Sequence, residues 1–113
     1  MRVRLAVFVS LLDPTPGAPP AGGIAGHTRD VSEDGLGLVL PAIRLGGRYL
    51  VGEGVPLRVT LKLGEQSARL YGTPVRYERL EEGEEGQAAF LLGIRLHEDG
   101  DRALLNDYLK GLK

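Results

Sequence analysis

Over residues 2–9 the apolar residues Val3, Leu5, Val7 and Val9 alternate with Arg2, Arg4, Ala6 and Phe8. A period of two places each set on its own face of an extended chain. The spacing therefore predicts a strand with one face turned to a core. Residues 13–23 carry four Pro and three Gly. Pro removes backbone donors and Gly loses the most entropy on ordering, so this stretch is expected as a loop. A second strand is expected over Ile24–Val31, ending in a turn at Glu33-Asp34-Gly35. Residues 36–40 resume an extended run that Pro41 stops. Residues 42–54 are less regular and predict at most a short strand near Tyr49.

Leu57, Val59, Leu61 and Leu63 alternate with Arg58, Thr60 and Lys62, which predicts a further strand, with a turn starting at Gly64. Residues 67–80 are long for one strand. Ala68 and Leu70 lie in one phase, and Val75 and Tyr77 in the other. A bulge or bend at Gly72-Thr73-Pro74 is expected to keep both halves facing the core. Residues 81–86 hold four Glu and two Gly and read as a solvated hairpin loop. The last strand is expected over 87–96, with Phe90, Leu92, Ile94 and Leu96 on one side. The period then changes. Leu104, Leu105, Tyr108, Leu109 and Leu112 recur at helical spacing. Asp99 or Asp101 can cap this helix by accepting from its free amides, and Lys110 and Lys113 suit its last turn. The expected class is all-β with one helix: a six- or seven-stranded antiparallel β-barrel with a C-terminal α-helix. Closure is the economical arrangement, because it removes exposed strand edges.

At 113 residues the chain fits one domain, long enough for a modest core without metal or disulfide staples. The absence of Cys excludes disulfides and thiolate chemistry. A net charge of -1 does not support a broad DNA- or RNA-binding surface. Arg outnumbers Lys by 11 to 3. A GC-rich genome accounts for such a bias, and planar guanidinium groups also suit guanine edges and phosphates. The apolar run over residues 5–12 is too short to span a membrane, and no small-residue cleavage pattern follows it. A cytoplasmic protein with no membrane contact of its own is expected.

The segment Thr28-Arg-Asp-Val-Ser-Glu-Asp-Gly-Leu-Gly-Leu38 resembles the Asp-x-Ser-x-x-Gly signature of PilZ domains, carried here by Asp30, Ser32 and Gly35. Later blocks keep the family's order: a strand like Thr73-Pro-Val-Arg-Tyr77, a strand like Leu92-Gly-Ile-Arg-Leu96, and a closing helix. The resemblance covers nearly the whole chain and implies one PilZ-like β-barrel domain over residues 1–113. It further implies a non-catalytic receptor domain for cyclic di-GMP, a bacterial second messenger, with no cofactor or metal. A protein partner or a tethered output domain would receive the signal. The family's second motif, Arg-x-x-x-Arg before the first strand, is not matched, because the chain starts Met1-Arg-Val-Arg. If Arg4 is the second arginine, the first falls at the position before Met1. Either that arginine lies upstream in a longer protein, or the chain is a divergent adaptor that works by protein contact without the nucleotide.

Cyclic di-GMP offers two phosphates and two guanine edges. Arg can bond guanine O6 and N7 through two parallel N–H donors. Arg2, Arg4 and Arg29 are the local candidates; Arg2 and Arg4 read equally well as arginines on a solvated face, and Arg29 reads better so. Asp30 suits the N1–H and N2–H donors of guanine, Ser32 can donate or accept, and Gly35 leaves room. The same trio also fits a turn that closes its own backbone bonds. His27 beside the motif is expected as an ordinary strand histidine, and His97 at the surface. Two separate His make no zinc site. Gly35-Leu-Gly37 lacks the third glycine of a dinucleotide fingerprint, and no acid, base and nucleophile assemble along the chain.

Overall fold

The structure, a computed structural model, describes residues 2–11, 23–45, 48–49, 56–80 and 89–111. Among these residues eight strands precede one helix: β1 Ala6–Leu11, β2 Ile24–Val31, β3 Gly35–Leu40, β4 Arg44–Leu45, β5 Arg48–Tyr49, β6 Leu57–Leu63, β7 Gln66–Leu80, β8 Ala89–Gly100 and α1 Arg102–Gly111. Six of them close a barrel in the order β1-β2-β3-β8-β7-β6, and β4 pairs with β5 as a separate hairpin. Every neighbouring pair in the barrel is antiparallel.

The alternation of the sequence decides which face points inward. Val7 and Val9 of β1, Leu36, Leu38 and Leu40 of β3, and Leu57, Val59 and Leu61 of β6 are buried together with Leu92 and Ile94 of β8. Branched side chains from opposite walls fill this interior, and their burial drives closure. Gly64 takes a φ of +64°, which turns the chain from β6 into β7. The helix lays Leu105 and Leu109 onto the same core, and Tyr108 packs beside them. Leu104 stays on the outer side.

Three expectations need correction. The register of β7 against β8 shifts twice, between Leu70 and Gly72 and between Pro74 and Arg76, so the irregularity is present. Val75 and Tyr77 are nevertheless 55% and 51% exposed rather than turned to the core. The pairing of β6 with β7 ends at Leu57 and Gly72. Beyond it β7 has lost one neighbour, and no layer among the described residues covers those side chains. Secondly, of the two candidate caps, the Asp99 side chain lies outside the described residues, and the carboxylate of Asp101 does not cap the helix amides. Its backbone carbonyl accepts from Leu105 at 3.3 Å, as at a helix start, while Oδ2 accepts from the Arg69 amide at 2.8 Å. The Asp101 amide returns a bond to the Arg69 carbonyl, so the pair fastens α1 to β7. Thirdly, His97 is half-buried rather than at the surface, and its Nε2 lies 2.6 Å from the Thr73 hydroxyl. The loop over 13–22, the acidic loop over 81–86, Leu112 and Lys113 lie outside the described residues. No helix among the described residues is long and apolar enough to cross a membrane.

Candidate functional site

The β2–β3 turn is built by its own side chain. The Ser32 hydroxyl accepts from the Gly35 amide at 3.1 Å and lies 3.2 Å from the Gly35 carbonyl, which also accepts from the Ser32 amide at 3.0 Å. A Cβ on Gly35 would come within 2.9 Å of the Ile94 carbonyl oxygen, so the turn sits tight against β8. Self-closure of this kind presets the turn before any ligand arrives.

One residue upstream of the turn, β2 is bulged. Its register against β3 passes from Thr28 opposite Leu38 to Asp30 opposite Gly37, which leaves Arg29 as the extra residue. A bulge re-aims side chains. Thr28 and Val31 remain buried, whereas Arg29 and Asp30 emerge on the outer surface. Gly37 lies beneath Asp30, and its missing Cβ would be 3.5 Å from Asp30 Oδ2.

The N-terminal arm reaches this point through buried Thr28. The Thr28 hydroxyl donates to the Val3 carbonyl at 2.6 Å and accepts from the Leu5 amide at 2.8 Å. Arg2 then forms an isolated antiparallel bridge with Asp30. Arg2 Nε lies 3.7 Å from Asp30 Oδ1, and Arg29 Nε lies 3.8 Å from Oδ2. The carboxylate is thus bracketed by two guanidiniums. Arg4 shares the outer face of the arm and is exposed.

Asp30, Ser32 and Gly35 line one open groove of about 920 Å³ on the outside of the barrel. Its other walls come from Gly37, from Leu91 and Gly93 of β8, and from Val75, Arg76, Tyr77 and Glu78 of β7. Arg2, Arg4 and Arg29 do not line it; Arg2 and Arg29 reach it through Asp30. The sequence reading did not single out Arg76, Thr28, Gly37 or Gly93. Gly37 and Gly93 had a signal: glycine inside an otherwise apolar strand marks a close approach. Thr28 and Arg76 had none, because both depend on pairing between distant strands.

A second tie supports the turn from below. The Arg102 guanidinium, at the start of α1, donates through Nη2 to the Glu33 carbonyl. It also lies 3.4 Å from Asp34 Oδ1 and donates to the His97 carbonyl at 3.4 Å. The Asp34 carbonyl accepts from the Leu96 amide at 2.8 Å. His27 is half-buried in β2, opposite Val39. No cluster of metal-ligating side chains occurs among the described residues.

The arrangement offers an exposed acceptor, guanidinium groups close to it, a preset hydroxyl turn and an open groove floored partly by glycine. Such a surface can bind a planar, anionic, hydrogen-bonding ligand. Among known proteins, the family model of the PilZ domain matches residues 2–111. No curated protein and no solved structure matches the chain.

Proposed function

This chain belongs to the PilZ domain family, a family of regulatory domains, and we propose that it binds cyclic di-GMP in the groove beside the β2–β3 turn. The observation that carries this reading is the convergence of Asp30, Ser32 and Gly35 on one groove of about 920 Å³, a volume within the usual range for ligand sites. Asp30 accepts from guanine N1–H and N2–H, and the Ser32 turn presents beside it a hydroxyl oxygen that can accept a further bond. The ion pairs of Arg2 and Arg29 with Asp30 are long and solvent-exposed. Pairs of that kind contribute only about 0.2–1 kcal/mol, so a ligand can replace them. The freed guanidiniums, with Arg4 alongside, then meet phosphates or guanine edges. Closing the arm over the ligand changes the surface shown to a protein partner or a tethered output domain.

Amide chemical shifts recorded during addition of cyclic di-GMP test this reading. The expected result is a response concentrated at Ser32, Gly35, Gly37 and Gly93. Shifts that spare these four residues, or no shifts at all, would reject the groove. The adaptor reading draws on Val75 and Tyr77, which stand exposed beside the same groove. It expects no response to the nucleotide.

A further inference from the structure

Four residues form a straight row across four adjacent strands. Asp30 of β2 pairs with Gly37 of β3, Gly37 with Gly93 of β8, and Gly93 with Arg76 of β7. Directly opposed residues in antiparallel strands share a face. Leu36, Leu38, Leu92 and Ile94 in the flanking rows are buried, so this row faces outward into the groove. Two glycines therefore separate an acidic from a basic side chain. Both side chains lean inward. The Cβ missing from Gly37 would lie 3.5 Å from Asp30 Oδ2, and the one missing from Gly93 would lie 3.1 Å from Arg76 Cγ and 3.3 Å from Arg76 Nε. Yet they do not pair with each other. Asp30 is bracketed by Arg2 and Arg29, and Arg76 has no ion pair among the described residues.

We infer that Arg76 is the residue that selects guanine in this groove, working as the donor half of a couple whose acceptor half is Asp30. The inference rests on the nucleotide-binding reading above and adds a contact outside both sequence motifs. Guanine carries N1–H and N2–H donors next to O6 and N7 acceptors. A carboxylate and a guanidinium held over neighbouring glycines match that order, with Asp30 on the donors and the Arg76 fork on O6 and N7. Adenine places an N6 donor beside N7, and the fork would meet a group of its own kind. Lysine in place of Arg76 keeps the charge but loses the fork. The glycines are part of the device, since a side chain at either would fill the space into which Asp30 and Arg76 lean.

The test is calorimetric titration of cyclic di-GMP and cyclic di-AMP into the whole chain and its Arg76→Ala and Arg76→Lys variants. A bidentate base contact corresponds to a factor of about 5 to 150 in affinity. Arg76→Ala is expected to weaken cyclic di-GMP binding within that range and to shrink the preference over cyclic di-AMP by a similar factor. Arg76→Lys should be nearly as weak. Arg76 is exposed, so both variants should melt like the wild type. Unchanged affinity in Arg76→Ala would overturn the role of Arg76 and leave cyclic di-GMP as the ligand. Full affinity in Arg76→Lys would also overturn it, showing a point charge on phosphate. A wild type that takes up neither nucleotide would overturn both this inference and the reading beneath it.

Discussion

Thr28 and Leu5 are fastened to each other twice: the Leu5 amide donates to the Thr28 hydroxyl at 2.8 Å, and the Thr28 amide donates to the Leu5 carbonyl at 2.9 Å. Through the further bond from the hydroxyl to Val3, this threonine sets where the arginine-bearing arm lies. Thr28→Val keeps the shape and leaves the Leu5 amide and the Val3 carbonyl without that partner. An unsatisfied buried group costs about 1–3 kcal/mol. The variant should melt at a lower temperature and bind cyclic di-GMP several-fold more weakly. Thr28→Ser should recover most of both. Equal melting of wild type and Thr28→Val would show that the arm is held by other means.

Gly35 and Gly37 should respond differently to the same substitution. Gly35→Ala drives a Cβ to within 2.9 Å of the Ile94 carbonyl, and backbone cannot move aside cheaply. Overpacking of this kind costs about 1–3 kcal/mol, to be read in urea denaturation. At Gly37 the nearest atom is Asp30 Oδ2 at 3.5 Å, an ordinary contact. Gly37→Ala should therefore fold normally and lose affinity for the nucleotide. Equal unfolding midpoints for the two variants would contradict this assignment.

Arg102 joins the helix to the turn. Asp34 is 93% exposed, so its ion pair with Arg102 contributes little, and Asp34→Asn should be close to neutral. Arg102→Ala also removes the bonds to the Glu33 and His97 carbonyls. Hydrogen bonds from charged groups are worth about 1.5–3 kcal/mol each, less where solvent reaches them, so a clear loss of thermal stability is expected. Broadened amide signals at Ser32 and Gly35 should accompany it. A neutral Arg102→Ala would mean that the turn supports itself through Ser32 alone.

The barrel was legible because its signal is local. Alternation along β1, β6 and β8 marks the inward residues without reference to pairing, whereas residues 36–40 read only as an extended run. The one long strand misled for a reason visible in the sheet. Val75 and Tyr77 keep an apolar alternation, but the pairing of β7 with β6 ends at Gly72, and these side chains beyond it are exposed. The turn at Asp30, Ser32 and Gly35 was legible as a motif. The ties of Thr28 to Leu5 and Val3, those of Arg102 to Glu33 and Asp34, and the row that sets Arg76 across from Asp30 were not. Each brings together residues at least 23 positions apart in the chain, as between Leu5 and Thr28, and no periodicity reports such contacts.

The exposed end of β7 gives a contrast in stability. Val75→Thr should change folding free energy by less than about 0.5 kcal/mol, as for other surface positions. Leu92, fully buried, should cost about 2–5 kcal/mol as Leu92→Ala. A large loss in Val75→Thr would indicate that this end of the strand is covered in solution.

The most direct test of the central claim is calorimetric titration of cyclic di-GMP into the wild type and into Asp30→Asn. Asparagine keeps the shape, removes the charge and turns a donor toward guanine's own donors. The account predicts saturable binding by the wild type and at least about a tenfold loss in the variant, with unchanged melting. Equal affinity in the two proteins, or no binding by the wild type, would contradict it.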